Sequence, residues 1–249
     1  PLTGLLLLGA ALALAACASN DDPDLPTLSA ATPGTLQSCT DLATKAKLAN
    51  TTIASSTLVA AGALTVTGVT TPMPEHCLVK GEMNRRTSAV DGKSYAIGFE
   101  MRLPTAWNGR YFYQANGGID GSVVTATGPT SGGAPVSNAL QMGFAVLSSD
   151  AGHSGPPWWG LDPQARLDYG YQAVGSLTPM AKNLIKVAYG KAPDRSYFGG
   201  CSNGGRHAMI AAARYSDQYD GILAGAPGFH LPKAATAQLW KVQQYASIA

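Results

Sequence analysis

Ser202 stands in Gly200-Cys201-Ser202-Asn203-Gly204, a G-x-S-x-G pentad. A serine hydroxyl is a useful nucleophile when a base takes its proton and the backbone holds the oxygen clear of the chain. The flanking glycines serve the second need, since a sharply reversing backbone leaves no room for side chains on either side of the serine. A strand-like run, Arg195-Ser196-Tyr197-Phe198-Gly199, precedes the pentad, and an alanine-rich helical stretch from Gly205 to Arg214 follows it. Strand, tight turn and helix together make a nucleophile elbow. In such an elbow the helix aims its free N–H groups and positive dipole end at the oxyanion of an acyl-transfer intermediate. Ser202 is therefore the candidate nucleophile, and the amide of Asn203 the first candidate donor of an oxyanion hole. The second donor belongs on an earlier strand-to-loop turn. Asn116-Gly117-Gly118 supplies one in which glycine permits close backbone approach. The Asn203 side chain is expected to face a bound ester, and Gly117 to leave the acyl pocket roomy.

The base is harder to place. His207 lies five residues after Ser202 on the same helix, so it travels with the serine rather than facing it. His76, in Pro74-Glu75-His76-Cys77, reads as a surface residue, and His230 follows the last strand. His153, after the run ending at Asp150, is the only one of the four that a loop could bring towards the site. In hydrolases built on this elbow the order is Ser, then Asp or Glu, then His, so the base is expected beyond residue 249. Trp158-Trp159 can stack on an aromatic acyl group or anchor a loop. Asp150 and Asp168 read as capping or salt-bridge residues. The same glycines do not make a phosphate loop, because Gly204 is followed by Gly205-Arg206 rather than Lys-Ser/Thr, and no dinucleotide-binding G-x-G-x-x-G is present. Ester hydrolysis by serine calls for no metal or cofactor.

The elements that must position these residues alternate between strand and helix. Tyr95–Leu103 alternates apolar and polar and stops at Pro104, Arg110–Gln114 leads into the candidate oxyanion turn, and Phe144–Asp150 is a near-continuous apolar run. A short helix is predicted within Ser38–Ala49, and one or two strands within Thr51–Val69. A long helix is predicted over Leu167–Tyr189, with Val174, Leu177, Ala181, Leu184, Ile185 and Ala188 at helical spacing. A last strand is predicted at Gly221–Pro227. Such alternation predicts an α/β-hydrolase fold with a mostly parallel sheet. The long loops at residues 120–140 and 150–165 are expected to border the active site.

Charged residues make up 13% of the 249, and the net charge is +2 with no basic stripe, which excludes nucleic acid as an expected partner. Leu2–Ala16 is apolar, uncharged and too short to span a bilayer, as in a secretion signal over residues 1–18. It ends in Leu14-Ala15-Ala16-Cys17, a lipobox-like sequence, so Cys17 is expected to be the lipidated first residue of a mature lipoprotein. Residues 19–37 read as a tether, and 38–249 as catalytic domain. An exported location, periplasmic or tied to a bacterial outer membrane, follows from that reading. Cys39 and Cys77 bracket a small segment and are expected to staple it. Cys201 is then either a free thiol or the partner of a cysteine beyond residue 249. A non-catalytic exported binding lipoprotein on the same scaffold is the alternative reading.

Phe198-Gly199-Gly200-Cys201-Ser202-Asn203-Gly204-Gly205-Arg206 and Tyr219-Asp220-Gly221-Ile222-Leu223-Ala224-Gly225-Ala226-Pro227 resemble the tannase and feruloyl esterase family. Trp107-Asn108-Gly109-Arg110 and Leu161-Asp162-Pro163-Gln164-Ala165-Arg166-Leu167-Asp168 support the likeness. The resemblance implies a serine esterase for small esters of aromatic acids of feruloyl, galloyl or terephthalate-monoester type. It points to Gly118 within the oxyanion turn, and to a disulfide between Cys201 and a second cysteine beside the catalytic His. It also implies a lid domain inserted after Pro227, with the catalytic Asp and His beyond it and a structural calcium possible in that lid. On this expectation the chain is an N-terminal portion that stops before the lid and the C-terminal part of the catalytic domain.

Overall fold

The computed structural model describes residues 28–129, 138–155 and 157–248. The expected signal segment, Cys17 and the tether as far as residue 27 lie outside the described residues. From residue 31 onward the chain forms one compact unit.

Its frame is a sheet of seven strands: β2 (Thr51–Val59), β3 (His76–Thr87), β4 (Ser94–Pro104), β6 (Arg110–Ala115), β7 (Ala145–Ser149), β8 (Arg195–Cys201) and β9 (Gly221–Gly225). They lie side by side in the order β2-β3-β4-β7-β6-β8-β9. A two-residue pairing of β1 (Gly34–Thr35) with β5 (Ala106–Trp107) stands apart from it. The sheet is mixed. β2, β3, β4 and β7 pair antiparallel in sequence, whereas β7, β6, β8 and β9 run parallel. The predicted parallel character therefore holds for the half that carries the pentad.

Apolar continuity explains the parallel half. Every residue of β7 is buried, as is every residue of β6 after Arg110, because helices cover both faces of strands in βαβ units. Helix α3 (Ala173–Tyr189) buries Val174, Leu177, Ala181, Leu184, Ile185 and Ala188, the six positions its spacing picks out. It ends where Gly190, at φ +78°, donates its N–H to the Lys186 carbonyl. A short helix α2 (Pro163–Leu167) and a π-turn over Asp168–Gln172 lead into it, so the predicted long helix starts in an irregular form. Helix α1 is one turn, Leu42–Lys45. Tyr113 of β6 stacks on Phe198 of β8 at 4.7 Å, tying the two central strands together inside the core.

Strand β3 is not foreseen by the sequence pattern. Its inward face is Cys77, Val79, Gly81 and Met83 and its outward face Lys80, Glu82 and Asn84; Leu78 and Gly81 blur the apolar alternation, which ends where register slips between Met83 and Arg86. Gly81 is small for a reason: a Cβ there would sit 2.5 Å from the Thr52 carbonyl oxygen and 2.6 Å from the Phe99 ring. Cys39 and Cys77 are joined by a disulfide across 38 positions of sequence. Residues 32–37, read from composition as tether, are bonded to this unit: Thr32 donates to Asp194 and Gln37 to the Ala188 carbonyl. His76 is fully buried rather than on the surface, since Arg102 donates to its Nε2 at 2.7 Å and its Nδ1–H reaches the Pro74 carbonyl. Burial holds this imidazole's pKa below its ordinary value.

Candidate active site

Ser202 sits between β8 and α4 (Asn203–Arg214), where the chain leaves the carboxyl end of a central parallel strand. Open α/β sheets gather their chemistry at that edge. Its backbone has φ +59° and ψ −118°, a conformation that costs a non-glycine residue about 1–3 kcal/mol and persists only when the surroundings impose it. Three hydrogen bonds impose it here. Ser202 donates its N–H to the Gly225 carbonyl at 3.0 Å, and its own carbonyl accepts from Arg206 at 3.0 Å and Gly228 at 2.9 Å. The pentad's glycines are required by close approach: a Cβ on Gly200 would lie 2.6 Å from the Ala115 oxygen, and one on Gly204 would run into the same atom. The serine side chain is left exposed on a pocket of about 380 Å³, lined by Gly117, Val124, Pro129, Gly200 and Cys201 among others.

Asn203 opens α4, so its N–H has no acceptor within the helix and points outward with the positive end of the dipole. The Asn116-Gly117-Gly118 turn leaves the neighbouring strand β6. Gly117 borders the pocket beside Ser202, 3.8 Å from the Cys201 carbonyl oxygen by its would-be Cβ, while Gly118 takes φ +71° with open space around it. The turn and the helix start thus lie on either side of Ser202, with Asn116 and Gly117 lining the same pocket as the serine.

The Asn203 side chain does not face this pocket, contrary to expectation. It is buried, and both its ends are occupied. Its Nδ2 donates to Asp120 Oδ2 at 2.6 Å and to the Asn116 carbonyl at 3.3 Å, while its Oδ1 accepts from Tyr169 Oη at 3.0 Å and Arg206 Nε at 2.9 Å. Asp120 also meets His207 Nε2 at 2.8 Å. A carboxylate can only accept, so Nε2 carries the proton, and the nearby Arg206 Nη2 satisfies itself on the Tyr169 carbonyl at 3.1 Å. The Arg206 guanidinium lies over the Tyr169 ring at 4.3 Å. No sequence motif flags Asp120 or Tyr169, and Arg206 stands in the Phe198–Arg206 segment without a role assigned to it. Only the Asn203/His207 spacing of four residues on one helix hints at a shared target.

His153 is also spoken for. Its Nε2 bonds the Ile119 carbonyl at 2.9 Å, and its ring packs 3.9 Å from Trp159 and edge-on to Tyr169. Burial lowers its pKa. Trp159 therefore anchors the loop, while Trp158 is exposed. His230 stands at the N-cap position of α5 (Leu231–Ala246) without a side-chain cap bond, is exposed, and packs on Phe229. Among the described residues no histidine is bonded to Ser202. Asp150 neither caps a helix nor forms a salt bridge: its Oδ1 accepts from Gly98 N–H of β4 at 2.9 Å and from Gly152 N–H of the following turn at 2.8 Å. Burial, then the charge of Asp120, pushes its pKa up to about 7. Asp168 accepts from Gln164 Nε2. Cys201, half-buried beside Ser202, carries no disulfide among the described residues, and these residues hold no cluster of three His, Cys, Asp or Glu side chains that could take a metal.

The sheet order, the strand–turn–helix around Ser202 and the flanking glycine turn define an α/β-hydrolase fold. Residues 77–247 match the family model described as tannase and feruloyl esterase, and the chain belongs to that family. It is 43% identical over 187 residues to a mono(2-hydroxyethyl) terephthalate hydrolase of Piscinibacter sakaiensis, an alignment covering 71% of this chain and 31% of that protein. It is 31% identical over 172 residues to a probable feruloyl esterase B-2 of Neosartorya fischeri, covering 68% of this chain and 30% of the relative. The crystal structure of feruloyl esterase B from Aspergillus oryzae superposes with a TM-score of 0.63 at 27% identity, over 77% of this chain and 37% of that one. The chain spans about a third of the length of these relatives.

Proposed function

We propose that this chain carries the nucleophile and oxyanion hole of a serine carboxylester hydrolase acting on small esters of aromatic acids. The observation that carries the reading is Ser202 itself, a non-glycine residue held at φ +59° at the end of a central parallel strand and opening on a pocket. Ser202 Oγ attacks the ester carbonyl, the amides of Asn203 and of the Gly117-Gly118 turn hold the oxyanion, with Gly118 the favoured second donor, and water releases the acid. The base and its carboxylate come from outside the described residues, within which no histidine is bonded to Ser202. Cys201 would pair there with a cysteine beside the catalytic His. The chemistry itself uses no cofactor, and a calcium, if the protein holds one, belongs to the lid.

The aromatic acyl preference is supported by the feruloyl and terephthalate esters in the relatives' names. Export, with Cys17 lipidated and the protein tethered to a bacterial outer membrane, is part of the same proposal and rests on residues 1–18. Among the described residues no helix is long and apolar enough to cross a membrane.

The test is a comparison of kcat/KM for methyl ferulate, methyl gallate, mono(2-hydroxyethyl) terephthalate and ethyl butyrate, using the full-length protein that contains this chain. We expect turnover of the three aromatic esters within a thousandfold of one another, with the aliphatic ester weakest. Breadth now rests on Gly117 alone, as Asn203 is turned away from the pocket. One side chain's worth of space seldom discriminates by more than about two-hundredfold. Hydrolysis confined to ethyl butyrate, or none at all, would overturn the proposal.

A further inference from the structure

We propose that Asp120 is a positioning residue that sets the separation between the two halves of the oxyanion hole. The inference rests on the reading of Ser202 as nucleophile and goes beyond it. The Asn116–Gly121 segment is fastened to the sheet and to the loop behind it. Asn116 Nδ2 donates to the Ser149 carbonyl at 2.8 Å and Ser148 Oγ at 3.0 Å, the Ile119 carbonyl meets His153, and Gly121 N–H reaches the Asp150 carbonyl. None of these contacts reaches the helix that carries Ser202. Its polar ties to that helix are the Asn116 carbonyl, at a long 3.3 Å, and Asp120 Oδ2.

Asp120 makes that tie from both ends of a helical turn. Asn203 and His207 are four residues apart, so they present Nδ2 and Nε2 on one face of α4, and a single carboxylate oxygen accepts both. The carboxylate is nearly fully buried, with its side chain 2% exposed, and the bond to Asn203 joins it to the residue whose backbone amide is one oxyanion donor. Asp120 itself takes φ +56°, which turns its side chain out of the glycine segment towards the helix. A donor pair is useful only when both N–H groups lie about 3 Å from where the oxygen forms, and a displacement of about 1 Å can cost a hundredfold in rate. Asp120 touches no reacting atom and acts through Asn203 and the turn.

The experiment compares D120A and D120N with the wild type in the full-length protein. Active sites are counted by stoichiometric labelling with an aryl phosphonate, turnover is measured on methyl ferulate, and affinity is measured for phenylboronic acid, whose tetrahedral serine adduct places an oxygen in the oxyanion position. For D120A we expect kcat per labelled site to fall about a hundredfold with KM changed less than threefold, and boronate affinity to fall in step with kcat. D120N keeps an acceptor oxygen and should lose only three- to tenfold, and it decides the matter alone if D120A does not fold. A loss of labelled sites with kcat per site unchanged assigns Asp120 a purely structural role and overturns the inference. So does a fall in kcat with unchanged boronate affinity. A wild type that is neither labelled nor active overturns the reading of Ser202 first, a result distinct from both.

Discussion

Asn203 Nδ2 donates to Asp120 Oδ2 at 2.6 Å, so the residue after the candidate nucleophile is locked by its side chain to the end of the oxyanion turn while its backbone amide stays available. The hydrogen-bonding capacity of this buried carboxamide is filled on all sides, an arrangement that rigidifies when complete and is costly when broken.

Reversing one end of that contact should be severe. N203D would set a second carboxylate against Asp120 in a buried site, and we expect a loss of about 3 kcal/mol in stability. N203A leaves Asp120 bonded to His207 and should cost about 1–2 kcal/mol. Urea denaturation of the two variants checks the order. N203D as stable as N203A would contradict this account of the Asp120 contact.

Asp150 should make stability depend on pH in an unusual direction. Its carboxyl is held protonated up to about pH 7 by burial, against an ordinary 3.8. The folded state therefore binds the proton more tightly, so the contribution is full below pH 4 and is lost as pH rises through 7. A rise of that size corresponds to about 4 kcal/mol. D150N, which keeps the oxygen that accepts from Gly98 and Gly152, should remove this slope. Thermal melts from pH 4 to 8 should show the wild type losing stability relative to D150N, and parallel curves would contradict the assignment.

The Cys39–Cys77 disulfide closes a loop of 38 positions, for which the chain-entropy account gives about 3–4 kcal/mol. Cys77 is fully buried between β2 and β4, so replacing both cysteines by alanine rather than serine isolates the cross-link. Denaturation with and without a reductant should show a reductant-induced loss that is larger in the wild type than in the double variant by that amount, and equal losses would contradict the assignment.

The parts of this fold that could be read in advance were those where one physical demand dominates the residue choice. Continuous burial shows in Ala145–Ser149, helical spacing in Val174–Ala188, and backbone crowding in the glycines around Ser202. Strand β3 was hidden because its inward face lacks a side chain at its centre, where Gly81 makes room for the Phe99 ring, and because its pairing slips register between Met83 and Arg86. The burial of His76 was equally hidden, since it depends on Arg102, 26 residues away and paired with Glu100. Within the site, Ser202 and the two glycine turns follow from local chemistry. The Asp120 network does not, because its members come from separate segments that only the folded sheet brings together.

The central claim is that Ser202 is the nucleophile, and covalent capture tests it most directly. The full-length protein should react with an aryl fluorophosphonate at one residue, Ser202, identified by peptide mapping. S202A should lose both the label and at least about 10³-fold of its turnover on methyl ferulate, the order expected when a hydrolase nucleophile is removed. Labelling at another serine, or near-normal turnover by S202A, would contradict the account.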